Sequence, residues 1–240
     1  VADEVSRRAG LPLSFRAGSS YRRLSAGEDD VAAVCGLPYV QLAARPDPPV
    51  VPLVAPVLAG VRYGGRPVYF SDVVVAAGSP ARSFADLRGR RWAYNEPRSQ
   101  SGVGVVAARL AAMGETWAFF GELVEAGSHQ RALAALAAGE ADGAAVDSHV
   151  LEVVGPGPSL RTVDVLGPST VQPVVASSRL PAATRDTLRD ALLAVDTGPI
   201  SGGRVARFVP VGDGDYADIR AMAASAAAGG VGRPTPHRRL

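Results

Sequence analysis

The sequence predicts an α/β fold in two lobes. Short Val-rich runs alternate with stretches of helical period, and Gly, Pro and Ser clusters separate them. No apolar run approaches the roughly 20 residues that a membrane-spanning helix needs. Strands alternating with helices point to parallel sheets with helices on both faces.

The elements follow in chain order. Val1 to Ala9 reads as an amphipathic helix ended by Gly10, with Pro12 just beyond, and Leu13 to Arg16 as a short extended stretch. Val31 to Cys35, closed by Gly36-Leu37-Pro38, suits a buried strand of a parallel sheet. Val50 to Leu58 and Val68 to Ala77 are Val-rich strands, and Ser83 caps a helical turn that runs to Gly89. Arg91 to Asn95 is a strand, Glu96 to Gly102 a polar loop, and Val103 to Met113 a helix stopped by Gly114. Phe120 to Glu125 is a strand; Ser128 then caps a helix that reaches Ala138. Asp142 to Val146 leads into a short helix from Asp147 to Val154, and Gly155 to Ser159 forms a loop. Leu160 to Leu166 and Gln172 to Ser177 are strands, Thr184 to Val195 a helix entered at Pro181, and Val205 to Val211 a strand. A helix from Tyr216 to Ala228 closes the pattern, and Gly229 to Leu240, without periodicity, reads as a flexible tail.

Composition narrows the function. Basic and acidic residues nearly balance at a formal charge of +2, so no concentrated basic face supports nucleic-acid binding. All 25 basic residues are Arg, which excludes a Walker A loop and a Lys Schiff base on this chain. Cys35 has no partner for an internal disulfide, and the His and Glu spacing fits no zinc pattern. No cofactor is expected. The chain opens on neither a signal peptide nor an initiating Met, so the expectation is that either a leader has been removed or the start of the fold is missing before Val1.

Candidate chemistry sits at strand-to-helix turns. In Ser99-Gln100-Ser101-Gly102 the free amides of a helix start favour an anion, two hydroxyls add donors, and Gly102 lets a ligand approach the backbone. Ser101 also reads as an ordinary N-cap, as serines at helix starts usually are. Gly127-Ser128-His129 repeats the arrangement, and His129 offers an imidazole donor or a structural side chain. Asp147, in a third such turn, is either an acceptor for a protonated ligand oxygen or an N-cap. Tyr39 reads as a core aromatic or as a ring closing over a ligand. Ser101, His129 and Asp147 name the members of a hydrolase triad, but no Gly-x-Ser-x-Gly elbow accompanies them.

An ordered set of short motifs carries a family resemblance. Cys35-Gly36-Leu37-Pro38-Tyr39, Asp86-Leu87-Arg88-Gly89, Tyr94-Asn95-Glu96-Pro97 with Ser99 and Ser101-Gly102, Phe119-Phe120-Gly121, Gly127-Ser128-His129 and Ala145-Val146-Asp147-Ser148 occur in that order. In order and spacing they resemble the phosphate/phosphite/phosphonate-binding receptors of ABC importers, mainly between residues 30 and 155. The resemblance implies a type 2 periplasmic-binding-protein fold: two α/β lobes joined by crossover strands, here Ser71 to Ala77 and Val171 to Ser177. Lobe 1 is then expected at 1–72 and 176–228, lobe 2 at 73–175, and the tail at 229–240.

By the same resemblance a small oxyanion is gripped in the interlobe cleft by Ser99, Ser101, Gly102, Ser128 and His129. Tyr39 from the opposite lobe, Tyr94 and Asp147 complete the expected ligand-binding set. Ala126, Ala132 and Val103 depart from the Ser, Ser and Tyr that family members often carry there. The implied role is a monomeric, extracytoplasmic, non-enzymatic receptor handing its ligand to an ABC permease. The alternatives are an enzyme of the same fold, such as a pyrimidine-precursor synthase or a transferase, and the ligand-sensing domain of a regulator.

Overall fold

The computed structural model describes residues 2–14, 16, 21–155 and 157–240. Val1 of the expected first helix, Phe15 of the expected extended stretch and Pro156 of the Gly155–Ser159 loop lie outside the described residues. The first half of the chain forms α1 (Ala2–Ala9), α2 (Tyr21–Ala26), β1 (Val31–Ala33), α3 (Gly36–Ala43), β2 (Val50–Leu58), β3 (Val68–Ala76), β4 (Arg91–Tyr94) and α4 (Val105–Ala112). Next come β5 (Glu122–Glu125), α5 (His129–Ala137), β6 (Gly143–Asp147), α6 (Ser148–Val154), β7 (Leu160–Thr170) and β8 (Val174–Ser177). The chain ends with α7 (Ala182–Leu193), α8 (Thr197–Ser201), β9 (Val205–Pro210), α9 (Ala217–Ala228) and β10 (Arg238–Arg239).

Two compact units result, one of Val1–Val68 with Thr170–Ala217, the other of Tyr69–Ser169 with Asp218–Leu240. The chain therefore passes between units earlier than expected, at 68/69 and 169/170, inside β3 and β7. The last helix joins the middle unit, not the N-terminal one, because Ala226 and Met222 pack against its aromatic core.

The first unit carries a sheet in the order β1-β8-β2-β9. Its neighbouring strands are antiparallel, with Val31 opposite Ala176, Val51 also opposite Ala176, and Ala55 opposite Val209. The parallel neighbour expected for the Val31 run is thus corrected: β1 and β2 point the same way, but β8 lies between them. Gly36-Leu37-Pro38 is not a closing loop either. It opens α3, where Pro38 sits in the first turn and its missing N–H removes no intrahelical bond. Val5 of α1 and Leu188, Ala191 and Leu192 of α7 bury their apolar faces against Leu53, Val54 and Ala176 of the sheet.

The second unit carries the order β10-β5-β4-β6-β3-β7. β5, β4 and β6 run parallel, with Tyr94 opposite Glu125 and Ala93 opposite Ala144, while β3 is antiparallel to β6. Alternation splits the side chains between two cores. Trp92, Tyr94, Val73, Val75 and Ala145 face α4, the phenylalanine cluster and α9; Ala93, Val74, Ala144 and Val146 face α5 and α6.

The expected flexible tail is also corrected. Val231 is buried beside Trp117, whose Nε1 donates to the Gly232 carbonyl at 2.7 Å. His237 exchanges bonds with the Leu123 backbone, and β10 adds to the edge of β5 as a parallel strand. The segment lacks periodicity because its partners are distant in sequence and its strand is short. Deleting residues 231–240 should lower the unfolding free energy by roughly 2–4 kcal/mol, the combined scale of a buried Val and one or two hydrogen bonds. Urea denaturation followed by tryptophan fluorescence measures this, and an unchanged midpoint would contradict the docking.

Candidate functional site

Because β4, β5 and β6 are parallel neighbours, their carboxyl ends lie along one edge of the sheet, where ligands of open α/β sheets bind. From that edge leave the turns that start α4, α5 and α6. The first begins with a π-turn over Gln100–Gly104, in which the Val105 amide donates to the Gln100 carbonyl. Such turns widen a helix start and recur at functional sites.

Ser99, not Ser101, caps this helix. Its Oγ accepts from the Gly102 amide at 3.0 Å and from Asn95 Nδ2 at 2.9 Å. With both lone pairs engaged, the Ser99 hydroxyl proton points to Ser101 Oγ, 3.2 Å away. Ser101 in turn donates to His129 Nε2 at 2.7 Å. Asn95 Nδ2 also approaches Nε2, at 3.4 Å, so the network assigns the proton of the neutral ring to Nδ1. His129 Nδ1 is buried and has no hydrogen-bond partner among the described residues. The turns after β4 and β5 therefore converge through side chains, from 99 and 101 on one to 129 on the other.

At Gly102 the backbone comes close to the Asn95 side chain. A Cβ there would sit 2.1 Å from Asn95 Oδ1, whose side chain lies under the turn. Asn95 is the member of the site that sequence reasoning missed. It stood inside the quoted Tyr-Asn-Glu-Pro string, but its spacing alone gives no sign that it braces Ser99.

The other expected residues take distinct places. Ser128 is half-buried and caps α5, its Oγ accepting from the Arg131 amide at 3.1 Å. Asp147 is buried at the end of β6 and caps α6, accepting from the His149 amide at 2.8 Å. Tyr94 is fully buried on the aromatic side of the sheet, and burial, reinforced by the charge of Glu125, pushes its hydroxyl up to about 12. Tyr39 belongs to the other unit, where its ring packs on Tyr216 at 4.6 Å and its hydroxyl donates to Asp213 at 2.9 Å. No group of metal-ligating side chains occurs among the described residues.

Burial sets the electrostatics. Desolvation lowers the His129 pKa from 6.5 to about 4, so the imidazole is neutral at pH 7. A depressed histidine favours the folded state above its unfolded pKa and loses that advantage as pH falls. The loss should run from about 6.5 down to about 4 and total roughly 3 kcal/mol. His129→Gln should flatten the stability curve over that window in ligand-free protein. Denaturation midpoints at half-unit pH steps test this, and identical curves for the two proteins would refute the buried neutral state.

The family described as the periplasmic substrate-binding protein of phosphonate ABC transporters matches residues 1–216. No curated protein matches the sequence. Among solved structures, the fold is similar to a binding-protein component of an ABC phosphonate transporter from Pseudomonas aeruginosa, with TM-score 0.81, 17% identity, and 95% of this chain and 80% of that one covered. PhnD1 from Prochlorococcus marinus in complex with methylphosphonate gives TM-score 0.77 at 17% identity, covering 92% and 88%. A Xanthomonas citri protein bound to ATP gives 0.74 at 18%, covering 95% and 91%. These likenesses show the type 2 periplasmic-binding-protein fold that the motif order implied.

Proposed function

Because this chain belongs to the family of periplasmic substrate-binding proteins of phosphonate ABC transporters, we propose that the edge holding Ser99, Ser101 and His129 binds a small phosphorus oxyanion. The family membership makes the chain a solute-binding receptor. The phosphonate, phosphite or phosphate ligand, the contact residues, an extracytoplasmic location, delivery to an ABC permease and a monomeric state belong to the proposal.

One observation carries it: the Ser99–Ser101–His129 chain is a set of donors that end on each other. Each proton there goes to a neutral acceptor, and His129 Nδ1–H has none among the described residues. An oxyanion is a stronger acceptor, and a hydrogen bond to a charged group contributes ~1.5–3 kcal/mol against ~1 for a neutral pair. The amides of the α4 start add a favourable dipole. Asp147 at the same edge gives an acceptor for a protonated ligand oxygen. Phosphonates, phosphite and phosphate keep such a proton near neutral pH and sulfate does not, so the carboxylate would repel sulfate.

The Ser101–His129 pair also has the form of a nucleophile and its base. That reading needs a carboxylate on Nδ1 to orient and stabilise the imidazolium. None of the described residues bonds there, and a ring with a pKa of about 4 is a weak base at pH 7. Binding without catalysis is the function these groups support.

Calorimetry against methylphosphonate, phosphite, phosphate and 2-aminoethylphosphonate, with sulfate as control, is the test. At least one phosphorus ligand should bind and sulfate should bind far more weakly. Ser101→Ala should weaken binding about 10–100-fold, the scale of one charge-assisted bond. Gly102→Ala should also weaken it, because the new methyl must displace the Asn95 amide, a movable side-chain end. A folded protein that binds none of the four ligands would remove the assignment.

A further inference from the structure

We propose that Ser71 is a further ligand-contacting residue, its hydroxyl held without a protein partner so that it can donate to the bound oxyanion. The inference rests on the oxyanion reading and extends it to a strand that no motif marks.

Ser71 lies in β3, one strand beyond β6, and its Cα is registered opposite Asp147. Since β3 runs antiparallel to β6, the beginning of β3 shares the edge at which β4, β5 and β6 end. Directly opposed residues of an antiparallel pair present side chains to the same face. Strand alternation says which face: Ser71 keeps the parity of Val73 and Val75, and Asp147 that of Ala145. All three apolar residues belong to the core under α4. The Gln100–Gly104 turn lies on that face, with Val103 in the same core, and packs against β6. Ser71 is thus on the face and at the edge from which Ser99 and Ser101 project.

The second observation is independent of placement. Ser71 is 1% exposed, and its Oγ has no hydrogen-bond partner among the described residues. Leaving a buried hydroxyl unbonded is destabilising, and an apolar side chain of similar size would avoid that cost. Its neighbours in β3 are engaged differently: the Phe70 amide donates to Ser148 Oγ at 3.1 Å, which pins this end of the strand to the start of α6. Ser148 spends its hydroxyl on the fold and Ser71 does not. His129 Nδ1, on the ring that bonds Ser101, shares the condition of Ser71 Oγ.

A ligand-contacting hydroxyl and a structural one respond oppositely to removal. Calorimetry with methylphosphonate, phosphite and phosphate should be run on wild type, Ser71→Ala, Ser71→Cys and Ser101→Ala, with melting curves of each in the absence of ligand. Ser71→Ala should melt at or above the wild-type temperature and bind about 5–50-fold more weakly. Ser71→Cys, similar in shape with a weak donor, should lie between the two in affinity. Wild-type affinity in Ser71→Ala, alongside lost affinity in Ser101→Ala, overturns the assignment of Ser71 and leaves the oxyanion site standing. A lower ligand-free melting temperature for Ser71→Ala overturns it too, since the hydroxyl then supports the fold. If wild type itself binds no phosphorus ligand, the underlying reading has failed, and the assignment of Ser71 falls with it.

Discussion

The site depends on one constraint: β5, β4 and β6 are parallel neighbours, so their chain exits crowd onto a single sheet edge. From that edge each following helix must start close to the next. The Ser101–His129 bond exists only because two helix starts, separated by 28 positions in sequence, leave adjacent strands in step. Antiparallel pairing of β4 with β5 would send His129 to the far end of the sheet. The Asn95 side chain lies under the first turn, braces Ser99 from there, and sits close against the backbone at Gly102.

Holding this arrangement has a thermodynamic cost that the two cores of the unit offset. Trp92, Phe84, Phe119 and Phe120 stack on one face of the sheet, and Leu133 and Leu136 of α5 cover the other. Those faces bury enough apolar surface to carry a neutral imidazole with an idle N–H and a hydroxyl with no acceptor. Low dielectric is what makes the idle donors expensive without ligand, and it is also what strengthens their bonds to an anion. Donors that are to grip an anion must be kept dry and unspent. The buried polar atoms of this edge have that character.

Much of this was legible in the sequence, for physical reasons that also mark where legibility ended. Val-rich runs identified β2 and β3 because burial on both faces selects apolar residues continuously. The Ser-x-Ser-Gly and Gly-Ser-His turns were readable because helix starts demand hydroxyls and glycines. Which serine caps was not readable, since Ser99 and Ser101 both lie at the helix start and only the π-turn decides between them. Helix α3 was hidden by Pro38, which breaks a helix interior but not its first turn. The pairing of β10 with β5 and the antiparallel order of the first sheet are long-range choices that local pattern does not encode. Ser71 was invisible for a plainer reason: in a Val-rich strand a single Ser looks like filler until its missing partner is seen.

On the proposed reading a bound oxyanion accepts the hydrogen bond that Ser101 now donates to His129 Nε2, and the imidazole reports on it directly. Proton–nitrogen correlation spectra of the histidine rings, recorded while methylphosphonate is titrated in, follow Nδ1 and Nε2 of His129 separately from His149 and His237. The His129 ring nitrogens should shift saturably with ligand concentration while the other two histidines stay still. Saturable binding by calorimetry with an unmoved His129 spectrum would contradict it.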